Sequence, residues 1–305
     1  MKYRFSFFLI VAFLFFMLLF PQETFLGAQE GLLLWFQTIL PSLLPFIILS
    51  NVFVSTNAVH TLSQLLRPFF CSLFQISAPS SYAVFIGFLC GYPMGAKAIS
   101  DLRKQNYISK KEGQYLLSFC NNTSPMFILS VIVMQNFKDS HYLLGTLFIL
   151  FFSPILCSFL FRRFYASAPY EAIKNNSKNT TFHFTFQALD NSIMNGFETI
   201  AKIGGYMILF SILFQYAQNL PLKYILPFLE ISNGIPAILN WNISFPATYT
   251  LVLGLCSFGG CCSIAQTCSM IQNSDLSIFP YITQKLITAM VTSSLAFIYI
   301  SFIHQ

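Results

Sequence analysis

Residues 84–98 read VFIGFLCGYPMGAKA, and residues 251–266 read LVLGLCSFGGCCSIAQ. Both stretches are apolar and both are broken by close-set glycines. These are Gly87, Gly91 and Gly95 in the first and Gly254, Gly259 and Gly260 in the second. In a bilayer, backbone that leaves the helix must be buried in protein or line a cavity. Glycine-interrupted apolar segments at matching places in two halves point to a transport site between inverted repeats.

Composition agrees with a membrane setting. Of 305 residues, 55% are hydrophobic and 9% charged, against roughly 25% charged in soluble domains. The 37 Phe suit lipid-facing surfaces. The net charge of +6 is spread between apolar spans, so it reads as membrane topology and not as a nucleic-acid surface. The eight Cys lie in apolar context and read as free, packed thiols. Cys261-Cys262 invites a soft metal, but no paired CxxC or His cluster supports one, and no metal site is expected. No Walker motif, dinucleotide fingerprint, HExxH or catalytic triad appears, so an enzyme is not expected.

Spans of about 20 apolar residues cross a bilayer. They are expected at 5–20, 31–54, 113–136, 142–164, 199–218 and 280–303. The glycine-broken segments, 79–103 and 244–273, either span or enter and return as hairpins. Charge decides between these. With both re-entrant, Lys2, Arg4, Arg67, Arg103, Lys104, Lys110, Lys111, Arg162, Arg163, Lys174 and Lys178 fall on one side. Lys138 and Lys223 fall on the other, with Glu23, Glu30, Asp139, Glu230 and Asp275. That bias makes the basic side cytoplasmic and places both termini there.

The repeat extends past the glycines. FIILSNVF at 46–53 resembles MILFSILF at 207–214, RPFF at 67–70 resembles LPFL at 226–229, and NTSPMFI at 122–128 resembles SSLAFI at 293–298. Spans 31–54 and 199–218 should cross in opposite directions. The semi-polar stretches 57–74 and 219–234 read as interfacial helices, with an ordinary loop as the other reading. The domain expectation is an N-terminal helix at 1–30, a first repeat at 31–165, a polar linker at 166–190 and a second repeat at 191–305.

Several residues could carry chemistry. Lys97, two residues past Gly95, either neutralises an anionic solute or snorkels to the surface beside Asp101. The run Cys120-Asn121-Asn122-Thr123-Ser124-Pro125 interrupts the third span. Pro removes a backbone donor, and an opened helix offers polar groups and a dipole end to a solute. The other reading is a kink satisfied internally. Ser293 and Ser294, with Thr292, form the weaker counterpart in the last span. Gly91, Tyr92 and Gly95, and Gly259, Gly260 and Ser263, mark the expected hairpin tips, and Gln266 stands where the first hairpin has Lys97. Glu198 and Lys202 read as an i,i+4 ion pair, with a proton relay as the alternative. Glu230 is open to either a structural or a functional role. Asn-x-Ser/Thr triplets at Asn175, Asn179 and Asn242 read as incidental.

GFLCGYPMGAKAISDL, LSFCNNTSPMFIL, ETIAKIGGYMILFS, LEISNG and FGGCCSIAQ, in that order over residues 30–303, resemble the YlbJ-type family of sporulation integral membrane proteins. GYPMGAK and IGGYMILFS carry most of the specificity. The resemblance implies a nucleoside-recognition, or gate-domain, fold similar to concentrative nucleoside transporters. It implies an all-α polytopic membrane protein of two inverted gate-type repeats, with about six transmembrane helices and two re-entrant hairpins. The implied function is a secondary transporter or facilitator of a small anionic or nucleoside-like solute, dipicolinic acid during sporulation being favoured. The implied location is the bacterial cell membrane, and the outer forespore membrane in a spore former. The expected solute site is Lys97, Gly91, Tyr92, Gly95, Asn121, Asn122, Thr123, Ser124, Gly259, Gly260, Ser263, Gln266, Ser293 and Ser294. No cofactor is expected, and the coupling ion would be a proton or sodium. Expected partners are the solute, the lipid bilayer, a second copy of the chain and other sporulation membrane proteins, with no nucleic acid. A non-transporting scaffold for spore or envelope assembly is the alternative; it has no need of Lys97 and Asn121–Ser124 at membrane depth.

Overall fold

The computed structural model describes residues 2–56, 58–165, 184–218, 221 and 223–303. Helix is the only regular structure among them. The elements are α1 (Lys2–Leu19), α2 (Pro21–Leu34), a π turn (Trp35–Ile39), α3 (Leu40–Ser55), α4 (Ala58–Phe74), α5 (Ala78–Cys90) and α6 (Met94–Lys104). They continue as α7 (Lys110–Phe119), α8 (Pro125–Phe127, running on as a π-helix over Ile128–Phe137), α9 (Leu143–Tyr165) and α10 (Phe186–Ala217). The last are α11 (Ile231–Leu239), α12 (Phe245–Phe258), α13 (Gly260–Ile271) and α14 (Ile278–Ile303). Most of the linker expected at 166–190, with Asn175 and Asn179, lies outside the described residues; α10 already begins at Phe186.

Five helical runs are long and apolar enough to cross a membrane, or six if the bent α4–α5 pair is one span. The chain is a polytopic all-α membrane protein. Large apolar side chains such as Phe7, Phe8, Leu144, Phe148, Met290 and Phe302 are exposed on its outside. Such a surface is stable in lipid and not in water.

The second span is longer than expected, starting at Pro21 and running 35 residues to Ser55. It packs along α10. Gly27 lies against Ile212 and Gly31 against Ile208, where a methyl at either glycine would meet backbone. Trp35 Nε1 donates to the Ile200 carbonyl at 2.9 Å, and Asn51 Nδ2 to the Ser192 carbonyl at 3.2 Å. The partner number falls as the first rises, so the two helices are antiparallel, as expected for 31–54 and 199–218. Small residues let membrane helices approach this closely.

The first glycine-broken segment folds back. Gly87 on α5 and Gly95 on α6 both abut the Cys120 carbonyl, which a continuous helix would not permit across eight residues. The link is Gly91-Tyr92-Pro93, with Gly91 at φ +80° and a cis Tyr92–Pro93 bond. From α7, Glu112 Oε1 accepts from Ser77 N and Ser80 Oγ, both at 2.6 Å, and so caps the start of α5.

The second segment corrects expectation. α12 and α13 form one 27-residue crossing, Phe245–Ile271, interrupted but not reversed. Only Gly259 separates them. Its φ of +91°, with +75° at Gly260, opens the helix without reversing it. Among its described residues, the stretch 219–234 is likewise not one interfacial helix but a 3₁₀ turn at Leu226–Phe228 followed by the start of α11. Its counterpart at 57–74 is helical, as α4.

The extra crossing moves the end of the chain. Arg103 at the end of α6 grips Asp275, Nε to Oδ1 at 2.9 Å and Nη2 to Oδ2 at 3.0 Å. That hydrogen-bonded guanidinium holds the Asp275 carboxyl below its ordinary range. Gln114 and Ser277 exchange two 2.9 Å hydrogen bonds beside it. Asp275 therefore stands at the basic end, not opposite it. α14 leads away, with Tyr299 packed on Tyr249 (centroids 6.0 Å apart) and on Gly145 at the far end. The far end of α14 therefore lies away from the basic end, where both termini were expected. Single cysteines at 104 and 303 on a Cys-depleted background should label from opposite faces of intact cells; labelling from the same face would overturn this topology.

A second outcome concerns packing. Gly87→Ala and Gly95→Ala place a methyl on the Cys120 carbonyl, whereas nothing lies within 4 Å of a methyl at Gly205. Overpacking costs about 1–3 kcal/mol or more. Each of the first two variants should lose thermal stability in detergent, and Gly205→Ala should not.

A polar cavity where two broken helices meet

The third expected span, 113–136, is two half-helices. α7 ends at Phe119, and Ser124 caps α8, its Oγ accepting from Phe127 N at 3.2 Å. Between them residues 120–124 are unwound and buried. Pro125 explains the stop, since it supplies no amide hydrogen to a continuing helix. Glycines explain why the opened chain fits: Gly87 and Gly95 accept its first carbonyl, and Gly91 packs against Ser124.

Opened backbone leaves orphan groups that must find partners. Asn121 supplies three. Its Oδ1 accepts from Ala96 N at 3.3 Å, and its Nδ2 donates to Thr267 Oγ1 and Tyr281 OH, both at 2.9 Å. One side chain so joins α6, α13 and α14. Thr123 Oγ1 donates to the Cys256 carbonyl at 2.8 Å, and Tyr92 OH to the Ser257 carbonyl at 2.8 Å. Those carbonyls belong to the last turn of α12, just before Gly259. The two interruptions therefore face one another, and each satisfies the other.

Beside this junction is a cavity of about 60 Å³. Six of the expected site residues line it: Tyr92, Thr123, Ser124, Gly259, Ser263 and Gln266. Glu230 and Ser232 add a carboxylate and a hydroxyl, and Ile39, Leu43, Phe127, Ile203 and Met207 add apolar wall. Gln266 Nε2 donates to Cys262 Sγ at 3.3 Å. Glu230 is 3% exposed, and its Oε2 accepts from Asn233 N at 2.9 Å, capping α11.

The remaining expected residues lie elsewhere. Asn121 and Asn122 point away from the cavity into the helix junction. Gly91, Gly95 and Gly260 serve packing: Gly260 lies beneath the Phe228 carbonyl. Ser293 packs on Gly254, Ser294 is exposed and bonds back to Met290, and α14 is unbroken at both. Lys97 is paired, with Nζ 2.9 Å from Asp101 Oδ2 and 3.1 Å from Asn51 Oδ1, and is 20% exposed. This is the geometry of the snorkelling reading, and Lys97 is not among the residues that line the cavity. Glu198 and Lys202 form the expected exposed ion pair.

Sequence reasoning missed Lys285. It is 1% exposed. Its Nζ donates to the Asn121 carbonyl at 3.1 Å and to Asn122 Oδ1 at 3.2 Å, and lies 5.0 Å from the centre of the Tyr92 ring. The signal was available, because Lys285 is the sole Asp, Glu, Lys or Arg after Asp275 and lies inside the expected span 280–303. No cluster of His, Cys, Asp and Glu fit for a metal occurs among the described residues.

The chain is similar to the sporulation integral membrane protein YlbJ of Bacillus subtilis (strain 168), being 24% identical over 308 residues that cover 88% of this chain and 75% of the relative. This supports the YlbJ-type resemblance read from GYPMGAK and IGGYMILFS. No family model matches the chain, and no solved structure matches it.

The junction makes a stability prediction. Asn121→Leu leaves the Tyr281 and Thr267 hydroxyls and the Ala96 amide without their present partner. Buried unsatisfied groups cost about 1–3 kcal/mol each. The variant should melt well below wild type in detergent, and an unchanged melting temperature would show that the junction is not held through this side chain.

Proposed function

We propose that this YlbJ-type membrane protein is a secondary transporter or facilitator of a small solute, which binds in the cavity between the two broken helices. The observation that carries this reading is the convergence of Tyr92, Thr123, Ser124, Glu230, Ser263 and Gln266, drawn from opposite halves of the chain, on one buried space. Polar groups at membrane depth are expensive, and they persist where they serve a pathway. Broken helices at the interface of two halves are the usual architecture of such sites. A scaffold has no use for these groups.

The cavity, at about 60 Å³, is far below the roughly 300–1,000 Å³ of a loaded ligand site. The geometry described is thus a contracted one, and loading requires the α5–α6 hairpin and the α12–α13 break to part. Tyr92 and Gly259 are in contact across that line. The favoured solute is dipicolinate, carried over from the family resemblance. A nucleoside-like solute is the second reading, favoured by the Glu230 carboxylate and the Gln266 amide, which suit hydroxyl and base hydrogen bonds.

Uptake of labelled dipicolinate and of nucleosides into proteoliposomes, with and without a proton or sodium gradient, tests the proposal. One of the two should accumulate, and Gln266→Ala should slow it roughly five- to tenfold, the value of about one hydrogen bond. Glu230→Gln keeps an acceptor for the α11 cap; it should weaken a nucleoside and spare an anion. Lys97→Met should leave uptake unchanged. Movement of neither solute under any gradient would remove the transport reading.

A further inference from the structure

Lys285 is a buried lysine with no carboxylate paired to it among the described residues. Its two hydrogen-bond acceptors, the Asn121 carbonyl and the Asn122 amide oxygen, and the Tyr92 ring are neutral. The ion pairs among the described residues are Lys97–Asp101, Arg103–Asp275 and Lys202–Glu198, so Lys285 has no carboxylate partner there. Burying an ammonium with neutral partners alone is costly. Met or Leu would fill the same space without that cost, so packing does not account for the residue.

Its position does. Residues 121 and 122 of the unwound segment hold Lys285, and residues 123 and 124, next in the chain, line the cavity. Tyr92 lines the cavity and also carries the cation against its ring. The charge and the cavity are thus separated by a single aromatic side chain. An ammonium has three donors. Two are used on the Asn121 carbonyl and Asn122 Oδ1, and one remains.

We infer that Lys285 is the specificity-determining counter-charge for a small carboxylate solute, which reaches it from the cavity when the Tyr92 ring moves aside. This rests on the cavity being the solute site. The carboxylate takes the third N–H of Lys285 and replaces the ring, turning a cation–π contact into an ion pair at membrane depth.

The test is equilibrium binding and thermal unfolding of the purified full chain in detergent. The probes are dipicolinate and its neutral analogue pyridine-2,6-dicarboxamide. Dipicolinate should bind wild type more tightly than the diamide. Lys285→Met should weaken dipicolinate about tenfold to a hundredfold, the range for hydrogen bonds to charged groups, and leave the diamide unchanged. Lys285→Arg, which keeps the charge, should recover part of the loss. Equal dipicolinate affinity in Lys285→Met and wild type, equal loss of both probes, or a wild type that binds no dipicolinate would each overturn the inference. Binding that depends on Lys285 without uptake in proteoliposomes would instead sink transport and leave the anion site standing. If Lys285→Met does not fold, the preference of wild type for dianion over diamide still decides, and preference for the diamide overturns it.

Discussion

Everything in this protein depends on how five residues of unwound backbone, 120–124, are kept without cost inside a lipid-embedded fold. Helical hydrogen bonding is lost there, and no bulk water replaces it. The Cys120 carbonyl is received between Gly87 and Gly95, where side chains of any size would exclude it. Asn121 spreads three hydrogen bonds over three helices. Thr123 and Tyr92 take the carbonyls that α12 leaves unpaired as it approaches Gly259. The two interruptions form one polar knot, and the apolar helices around it are spaced by its dimensions.

The knot also sets where chemistry is available. A fully satisfied polar network is rigid, and a cavity beside it is where a ligand has room. Here that cavity lies under Tyr92, Ser263, Gln266 and Glu230. The two halves reach it differently. The first contributes a hairpin with a three-residue link, and the second a straight crossing opened at two left-handed glycines. This asymmetry puts Tyr92 over Gly259, an aromatic ring against a glycine.

Charge is sorted by depth. Lys97 with Asp101 and Arg103 with Asp275 lie at the basic end, partly exposed, where ion pairs add little stability but fix the register of the helix ends. Lys285 and Glu230 lie deep. Glu230 is tied to the start of α11, and Lys285 is held only by neutral oxygens and a ring.

The sequence by itself determined the class of protein and the places where its helices break. Apolar runs of crossing length, few charges and clustered basic loops need a bilayer, and Gly91, Pro93, Gly259, Gly260 and Pro125 interrupt helices through local backbone chemistry that no neighbour alters. Six of the cavity residues were legible for the same reason: Gly259 is one of the breaks, and Tyr92, Thr123, Ser124, Ser263 and Gln266 are polar residues beside them. What local chemistry does not encode is which way a broken helix continues. The second segment crosses where a hairpin was expected, because a left-handed glycine pair opens a helix without fixing the angle at which it resumes. Packing against α14 decides that angle, and with it the side on which Asp275 and Ile303 stand. The choice between Lys97 and Lys285 was tertiary too. Each is one lysine in apolar surroundings, and only the fold shows that Asp101 and Asn51 reach the first while no carboxylate among the described residues reaches the second.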